Sequence, residues 1–189
     1  MDCTEIVKRA LEVLKEGGVI LYPTDTVWGI GCDATNEEAV RKVFEIKKRA
    51  DSKSLVLLAS DLDMVARFVR EIPSIAIDLV EVNDRPMTII YPQGQMLAPS
   101  TMAQDGSVGI RIPMSDFCRE LVRKLRKPLV STSANISGEP TPENFAGIPD
   151  KIKSAVDYIV PGELESESTG RPSQILKVGL KGEIEIIRA

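Results

Sequence analysis

Apolar residues recur at helical spacing from Thr4 to Gly17, where Ile6, Val7, Ala10, Leu11 and Leu14 share one stripe. Gly17 and Gly18 then end that helix. A short apolar run, VILYP, predicts a buried strand. After the polar TDTVWGIGCDA stretch, Thr35 and Glu38 stand at capping-box spacing, and AVRKVFEI continues as an amphipathic helix. LVLLA reads as a strand, Asp61 to Arg70 and Pro73 to Val82 as two helices, and MTIIYP as another strand. Residues 93–106 have no periodicity and form a long loop, a length at which lids and binding loops are common. SVGIRIP is a strand, and Ser115 caps the helix DFCRELVRKL, which Lys127-Pro128 ends. LVSTSANISG opens as a strand, GEPTPENFAG is irregular, and Asp150 to Ala155 is helical. The polar loop ELESESTGRP precedes two final strands, SQILKV and EIEIIR. Neither an internal repeat nor a linker interrupts this order, so residues 1–189 read as one domain.

Three stretches break the apolar pattern with chemistry. In KKRADSKSL, the cations Lys47, Lys48, Arg49 and Lys53 fall within seven residues, separated by loop-sized polar residues. Lys47, Arg49 and Lys53 would reach one volume from separate backbone points, as a phosphate clamp does. The same residues also suit a solvated helix end, where cations complement the macrodipole. Thr24, Asp25 and Thr26 lie between two apolar runs, either as a ligand-bearing loop at a strand end or as a side-chain-stabilised turn. The GIG that follows lacks the third glycine of a dinucleotide fingerprint and opens no helix. Ser131, Thr132, Ser133 and Asn135 follow a strand end directly, offering uncharged donors to a phosphate, a carboxylate or an adenine edge, or else capping a helix or turn. Arg111 sits between Ile110 and Ile112, a setting that is costly for a guanidinium unless an anion meets it.

Composition narrows the chemistry. There is no histidine, which removes Ser-His-Asp and Cys-His nucleophile systems and histidine metal sites. The three cysteines, Cys3, Cys32 and Cys118, are far apart and form no CxxC pair, so neither a disulfide framework nor a zinc site is expected. A net charge of −4 argues against strong non-specific nucleic-acid binding, although a local basic pocket remains compatible with it. No apolar run approaches the length of a membrane span, and the N-terminus has a helical pattern rather than a leader pattern, so a cytoplasmic location is expected.

Four stretches match one family in the right order: YPTDTVWGIGCDA, the K-x-R-x-x-x-K-x-L stretch from Lys47 to Leu55, SVGIRIP, and KPLVSTSANISG, with GRPSQI weaker near the end. On these the chain resembles the short, single-domain members of the YrdC/Sua5 family, the L-threonylcarbamoyladenylate synthases. The resemblance implies an α/β fold, with a twisted mixed sheet flanked by helices around a large concave pocket. It also implies a nucleotidyltransferase reaction that joins L-threonine, bicarbonate and ATP into threonylcarbamoyl-AMP and pyrophosphate. A separate transferase would use the product to modify the tRNA adenosine beside the anticodon. The chain departs from the family at Ala50 and Ser54, where Pro is common, and at NDRPMT, which keeps only Pro86 and Thr88 of a frequent W-P-G-P-x-T. The histidine that long-form members carry near Leu58 is absent.

Carried onto this chain, the resemblance implies Lys47, Arg49 and Lys53 as catalytic cations for the phosphates and the bicarbonate-derived carboxylate. Arg49, Lys53, Ser107, Ser133, Asn135 and Arg188 would bind ATP, and Thr26, Arg111, Ser131 and Ser173 would hold threonine. Mg2+ would accompany ATP through phosphate oxygens and water, with no all-protein metal cage. Two other classes remain: an RNA- or tRNA-binding module, disfavoured by acidity and by few aromatics for base stacking, and a carbamoyl-adenylate-forming carbamoyl transferase.

Overall fold

The computed structural model describes residues 2–48 and 55–189, with only the backbone described at 166 and 167. Helix α1 spans Cys3–Lys15, followed by the short strands β1, Ile20–Tyr22, and β2, Gly29–Gly31. Then come α2, Glu37–Lys47; β3, Val56–Leu58; α3, Leu62–Phe68; and α4, Ser74–Glu81. Strand β4, Met87–Tyr91, and β5, Val108–Arg111, flank the long loop; α5 is Asp116–Leu125, and β6 is Leu129–Ser133. Helix α6, Asp150–Ala155, is followed by β7, Tyr158–Ile159; β8, Gln174–Val178; and β9, Ile184–Arg188.

The strands form one nine-stranded mixed sheet in the order β7-β1-β2-β6-β3-β5-β4-β8-β9. Its two halves meet on β6. Leu129, Val130 and Ser131 pair antiparallel with β3, whereas Thr132 and Ser133 pair with Ile30 and Gly29 of β2. The hydroxyl-bearing end of β6 is therefore central in the fold rather than at an edge. Helices flank the sheet, and their apolar stripes enter the same core. Ile6, Val7, Ala10 and Leu14 of α1 lie near α5, whose Phe117, Cys118, Leu121, Val122 and Leu125 are buried.

Local signals explain most element ends, with two corrections. The cap of α2 is Asn36, whose side chain accepts from the Ala39 amide, and not Thr35. Thr35 is held instead by Asp33, whose Oδ1 accepts from both the Thr35 amide (2.8 Å) and its hydroxyl (2.7 Å). Asp33 outcompetes the capping box because its Oδ2 is also anchored, by the Lys127 ammonium at 2.9 Å. The second correction concerns ELESESTGRP, which opens as a 3-10 turn at Gly162–Glu167 rather than as plain loop. Ser115 and Asp61 cap α5 and α3 through the Cys118 and Met64 amides. Residues 93–106 hold a 3-10 turn at Pro99–Thr101 and are otherwise irregular but anchored: the Gly94 amide bonds to the Gly106 carbonyl, the Ala98 amide to the Ala34 carbonyl, and the Ser100 amide and hydroxyl to Glu37.

The second glycine of GIG, Gly31, has a packing reason. The Tyr22 ring lies against β2, and its hydroxyl donates to the Val130 carbonyl at 3.0 Å. A Cβ on Gly31 would come within 2.6 Å of that ring and 2.4 Å of the Val130 oxygen. Neither neighbour can yield, since Tyr22 is fully buried and Val130 is core backbone. Gly31→Ala should therefore destabilise the fold by about 1–3 kcal/mol, the usual cost of overpacking a core. Thermal or denaturant unfolding measures this, and an unchanged midpoint would show that β2 shifts freely.

Candidate active site

A cavity of about 860 Å3 opens on the sheet, and the carboxyl-end residues of several strands line it. Leu55, Val56, Ile90 and Ile175 give it apolar surface, and much of the rest of the lining is polar. Thr26 and the β6 residues Ser131, Thr132 and Ser133 contribute hydroxyls. Thr88, Arg111, Ser173, Lys177 and Arg188 also line it, with Gln104, Asp105 and Ser107 ahead of β5 and Thr141 beyond β6. The lining among the described residues thus holds three cations, against the carboxylate of Asp105 within it and that of Asp25 behind Arg111, a positive balance within a molecule whose net charge is −4. Such a cavity favours anions locally against the sign of the whole protein.

Arg111 is 3% exposed and already paired. Its Nη1 donates to Asp25 Oδ1 at 2.5 Å and its Nη2 to Thr26 Oγ1 at 3.2 Å, whereas its buried Nε has no partner among the described residues. The Thr24–Thr26 loop is both a turn and part of the cavity wall. Thr24 Oγ1 accepts from the Thr26 amide at 3.1 Å and donates to the Val27 carbonyl at 2.7 Å. The 2.9 Å contact between the two threonine hydroxyls is then donated by Thr26, which leaves Thr26 Oγ1 as the acceptor for Arg111.

The second cationic group is built on Ser173. Its hydroxyl shares a 2.7 Å hydrogen bond with Thr88 Oγ1, its carbonyl accepts from Arg188 Nε at 2.8 Å, and Arg188 Nη2 lies 3.5 Å from its hydroxyl. Thr88 is the register partner of Arg111 across β4 and β5, so the two arginines share one end of the cavity. Burial lowers the Arg188 pKa, and the nearby positive charge of Arg111 lowers it further. Two guanidinium groups so placed are relieved by an anion that both can reach.

The remaining sequence candidates separate by place. Ser131 and Ser133 line the cavity, and Ser133 donates its hydroxyl to Asn135 Oδ1 at 2.5 Å. Asn135 does not line it: its Nδ2 ties the Ile136 and Glu139 carbonyls, and its Oδ1 also accepts from Lys47 at 3.2 Å. Lys47 is 1% exposed, and its ammonium donates to the Ser133 carbonyl and, at 2.8 Å, to the Asn135 carbonyl. It is not among the cavity-lining residues. Ser107 lines the cavity and donates its hydroxyl to Asp105 at 2.6 Å. Arg49 and Lys53 lie outside the described residues. The sequence did not single out Thr88, Gln104, Asp105, Thr141 or Lys177 in the lining, nor the pairing of Asp25 with Arg111 behind it. A threonine in the apolar strand MTIIY was the available signal for Thr88; Asp25 had already stood out as a polar residue between two apolar runs.

The family model Sua5/YciO/YrdC, described as telomere recombination, matches residues 12–189. The chain belongs to the Sua5/YciO/YrdC family. Among its relatives, the threonylcarbamoyl-AMP synthase of Stenotrophomonas maltophilia is 35% identical over 82% of this chain and 84% of its own. That of Hahella chejuensis is 31% identical over 89% and 91%. The solved structure of P. abyssi Sua5 complexed with L-threonine aligns with a TM-score of 0.81 at 24% identity, over 94% of this chain and 52% of that one. E. coli YciO aligns with a TM-score of 0.80 at 22% identity, over 99% and 89%. This chain therefore spans most of the length of the two synthases and about half of the P. abyssi Sua5 chain. The two structural likenesses share the fold: mixed α/β with helices flanking the sheet.

The burial of Lys47 gives the family site a structural requirement. Replacing Lys47 with Met keeps much of the side-chain volume but takes the ammonium from the Asn135 carbonyl, whereas the Ser133 carbonyl keeps the Asn135 amide at 2.9 Å. Lys47→Met should lower stability by about 1–3 kcal/mol, the cost of an unsatisfied buried acceptor. Loss of turnover with an unchanged unfolding midpoint would instead assign the ammonium to catalysis alone.

Proposed function

We propose that this protein is a cytoplasmic L-threonylcarbamoyl-AMP synthase, using L-threonine, bicarbonate and ATP and releasing pyrophosphate. The observation that carries the reading is the cavity itself: two arginines and a row of hydroxyls meet in a space large enough for a nucleotide and an amino acid. The names of the relatives, which the chain matches over most of its length, support the same activity. No helix among the described residues is long and apolar enough to cross a membrane.

Threonine's amine, as the free base, and bicarbonate would give an N-carboxy-threonine with loss of water, and its carboxylate oxygen would attack the α-phosphorus and displace pyrophosphate. This nucleophile is already anionic, so the adenylyl step needs no protein base, in keeping with a chain that lacks histidine. The protein supplies alignment and charge stabilisation. Arg111, with Thr26, Ser131 and Ser173, would receive threonine, the guanidinium taking the carboxylate. Ser107, Ser133 and Arg188 would face the nucleotide, with Arg49 and Lys53 on its phosphates. Asn135 and Lys47 would serve this site by holding the Ser133 end of β6 in place. Mg2+ would enter with ATP; Asp105 is the carboxylate of the described lining, and Ser107 and Lys177 already engage it, which fits a metal held mainly by phosphate oxygens and water. The product would pass to a separate tRNA-modifying transferase, with direct tRNA contact weak.

Pyrophosphate release from ATP should require both L-threonine and bicarbonate. Threoninamide, which lacks the carboxylate charge, should be a poor substrate. Release supported by carbamoyl phosphate and independent of threonine would favour carbamoyl transfer instead. Arg49→Ala should cut turnover by well over tenfold, a loss of more than about 1.4 kcal/mol of transition-state stabilisation. Steady-state turnover near the wild-type value would remove Arg49 from the phosphates.

A further inference from the structure

We infer that Asp25 is the positioning residue for the Arg111 guanidinium, setting the orientation in which that group meets the carboxylate of the amino-acid substrate. This rests on the assignment of Arg111 to threonine in the proposed function. Asp25 does not line the cavity, so it can act on a substrate only through another residue. Both of its carboxylate oxygens are used. Oδ1 takes Arg111 Nη1 at 2.5 Å, and Oδ2 takes the Met114 amide, just before α5, at 3.0 Å. Two bonds from opposite partners fix the plane of the carboxylate as well as its place.

The loop carrying Asp25 is itself clamped from the far side. The Asp25 carbonyl accepts from the Thr169 amide at 3.1 Å, and the Thr26 carbonyl from the Ser168 hydroxyl at 2.6 Å. The arginine is thereby held on two of its three nitrogens by adjacent residues of one rigid loop, Asp25 and Thr26. An unrestrained arginine side chain would have to be ordered by each substrate molecule, whereas this one is ordered beforehand. The guanidinium keeps a buried Nε–H with no partner among the described residues and one further N–H on each terminal nitrogen.

Stability alone gives little reason for such a pair. Desolvating two charges offsets most of their attraction, and an apolar pair of similar volume would serve a core as well. The pairing also moderates affinity: Asp25 neutralises Arg111, so discrimination depends on directed N–H groups, with Arg188 supplying positive charge at the same end of the cavity.

The test is a double-mutant cycle between Asp25→Asn and Arg111→Lys, reading the apparent KM for threonine, the apparent KM for ATP and the unfolding midpoint. Asp25→Asn keeps the side-chain volume but loses the charge and one of the two acceptors. It should raise the threonine KM about tenfold or more, with the ATP KM changed by about twofold at most. The same substitution made on Arg111→Lys should add little, because the group it orients is gone. Asp25→Glu, which keeps the charge but displaces it, should fall between. It carries the cycle if Asp25→Asn does not fold. Equal effects of the Asp25 change in both backgrounds would overturn the inference, as would a lowered midpoint with an unchanged threonine KM. If Arg111→Lys itself left the threonine KM unchanged, the assignment of Arg111 to threonine would fail. If Arg111→Lys raised it and Asp25→Asn did not, only the positioning role would fail.

Discussion

A guanidinium in the interior of a sheet is the constraint around which the cavity end of this molecule is arranged. Arg111 ends β5 between neighbours that are otherwise apolar, and burial of its charge demands compensation within a few ångströms. Asp25 and Thr26 provide it, which draws the loop after β1 across the sheet to the end of β5. The bond from the Met114 amide to Asp25 fixes the approach to α5 in turn, and residues 168 and 169 close over the same loop. One buried charge thus joins three separate chain segments at one point.

A second cation plays the same part at the other side of the cavity with a different chemistry. The Lys47 ammonium, at the end of α2, gathers carbonyls at the end of β6, where the two halves of the sheet meet. An ammonium has three donors without a fixed plane, which suits a cluster of carbonyls, whereas the planar fork of arginine suits a carboxylate. The hydroxyls of Ser131 and Ser133 are presented to the cavity by a strand whose end cannot drift.

Beyond these anchors, the C-terminal half contributes surface that the N-terminal half cannot. Trp28, next to the loop that holds Arg111, packs against Phe145 with ring centroids 5.0 Å apart, and its indole donates to Glu165 at 2.8 Å. The same Glu165 oxygen accepts from the Phe145 amide at 2.7 Å. A segment of acidic composition is therefore fastened over the aromatic pair by one carboxylate. Ser173 and Arg188, both from beyond that segment, then complete the far wall of the cavity through Thr88.

Periodicity was sufficient for the helices and most strands because burial of an apolar face is a local pattern repeated along the chain, as α1 and α5 illustrate. The hydroxyl run of β6 and the isolated Arg111 were legible as chemistry for a related reason: each interrupts an apolar segment where a polar group has a cost. What one side chain bonds to across the fold was not legible. Lys47 reads as one of four similar cations, and only the return of β6, 86 residues later in the chain, shows its ammonium facing carbonyls. The capping box at Thr35 was a valid local pattern that lost to Asp33, whose own position depends on Lys127. Asp25 could be seen as polar and loop-borne, but its pairing with Arg111 joins residues 86 positions apart. Sequence determined which groups are expensive to bury. The tertiary structure decided which of them compensate one another, because hydrogen bonds and ion pairs act over a few ångströms of space and carry no trace in chain spacing.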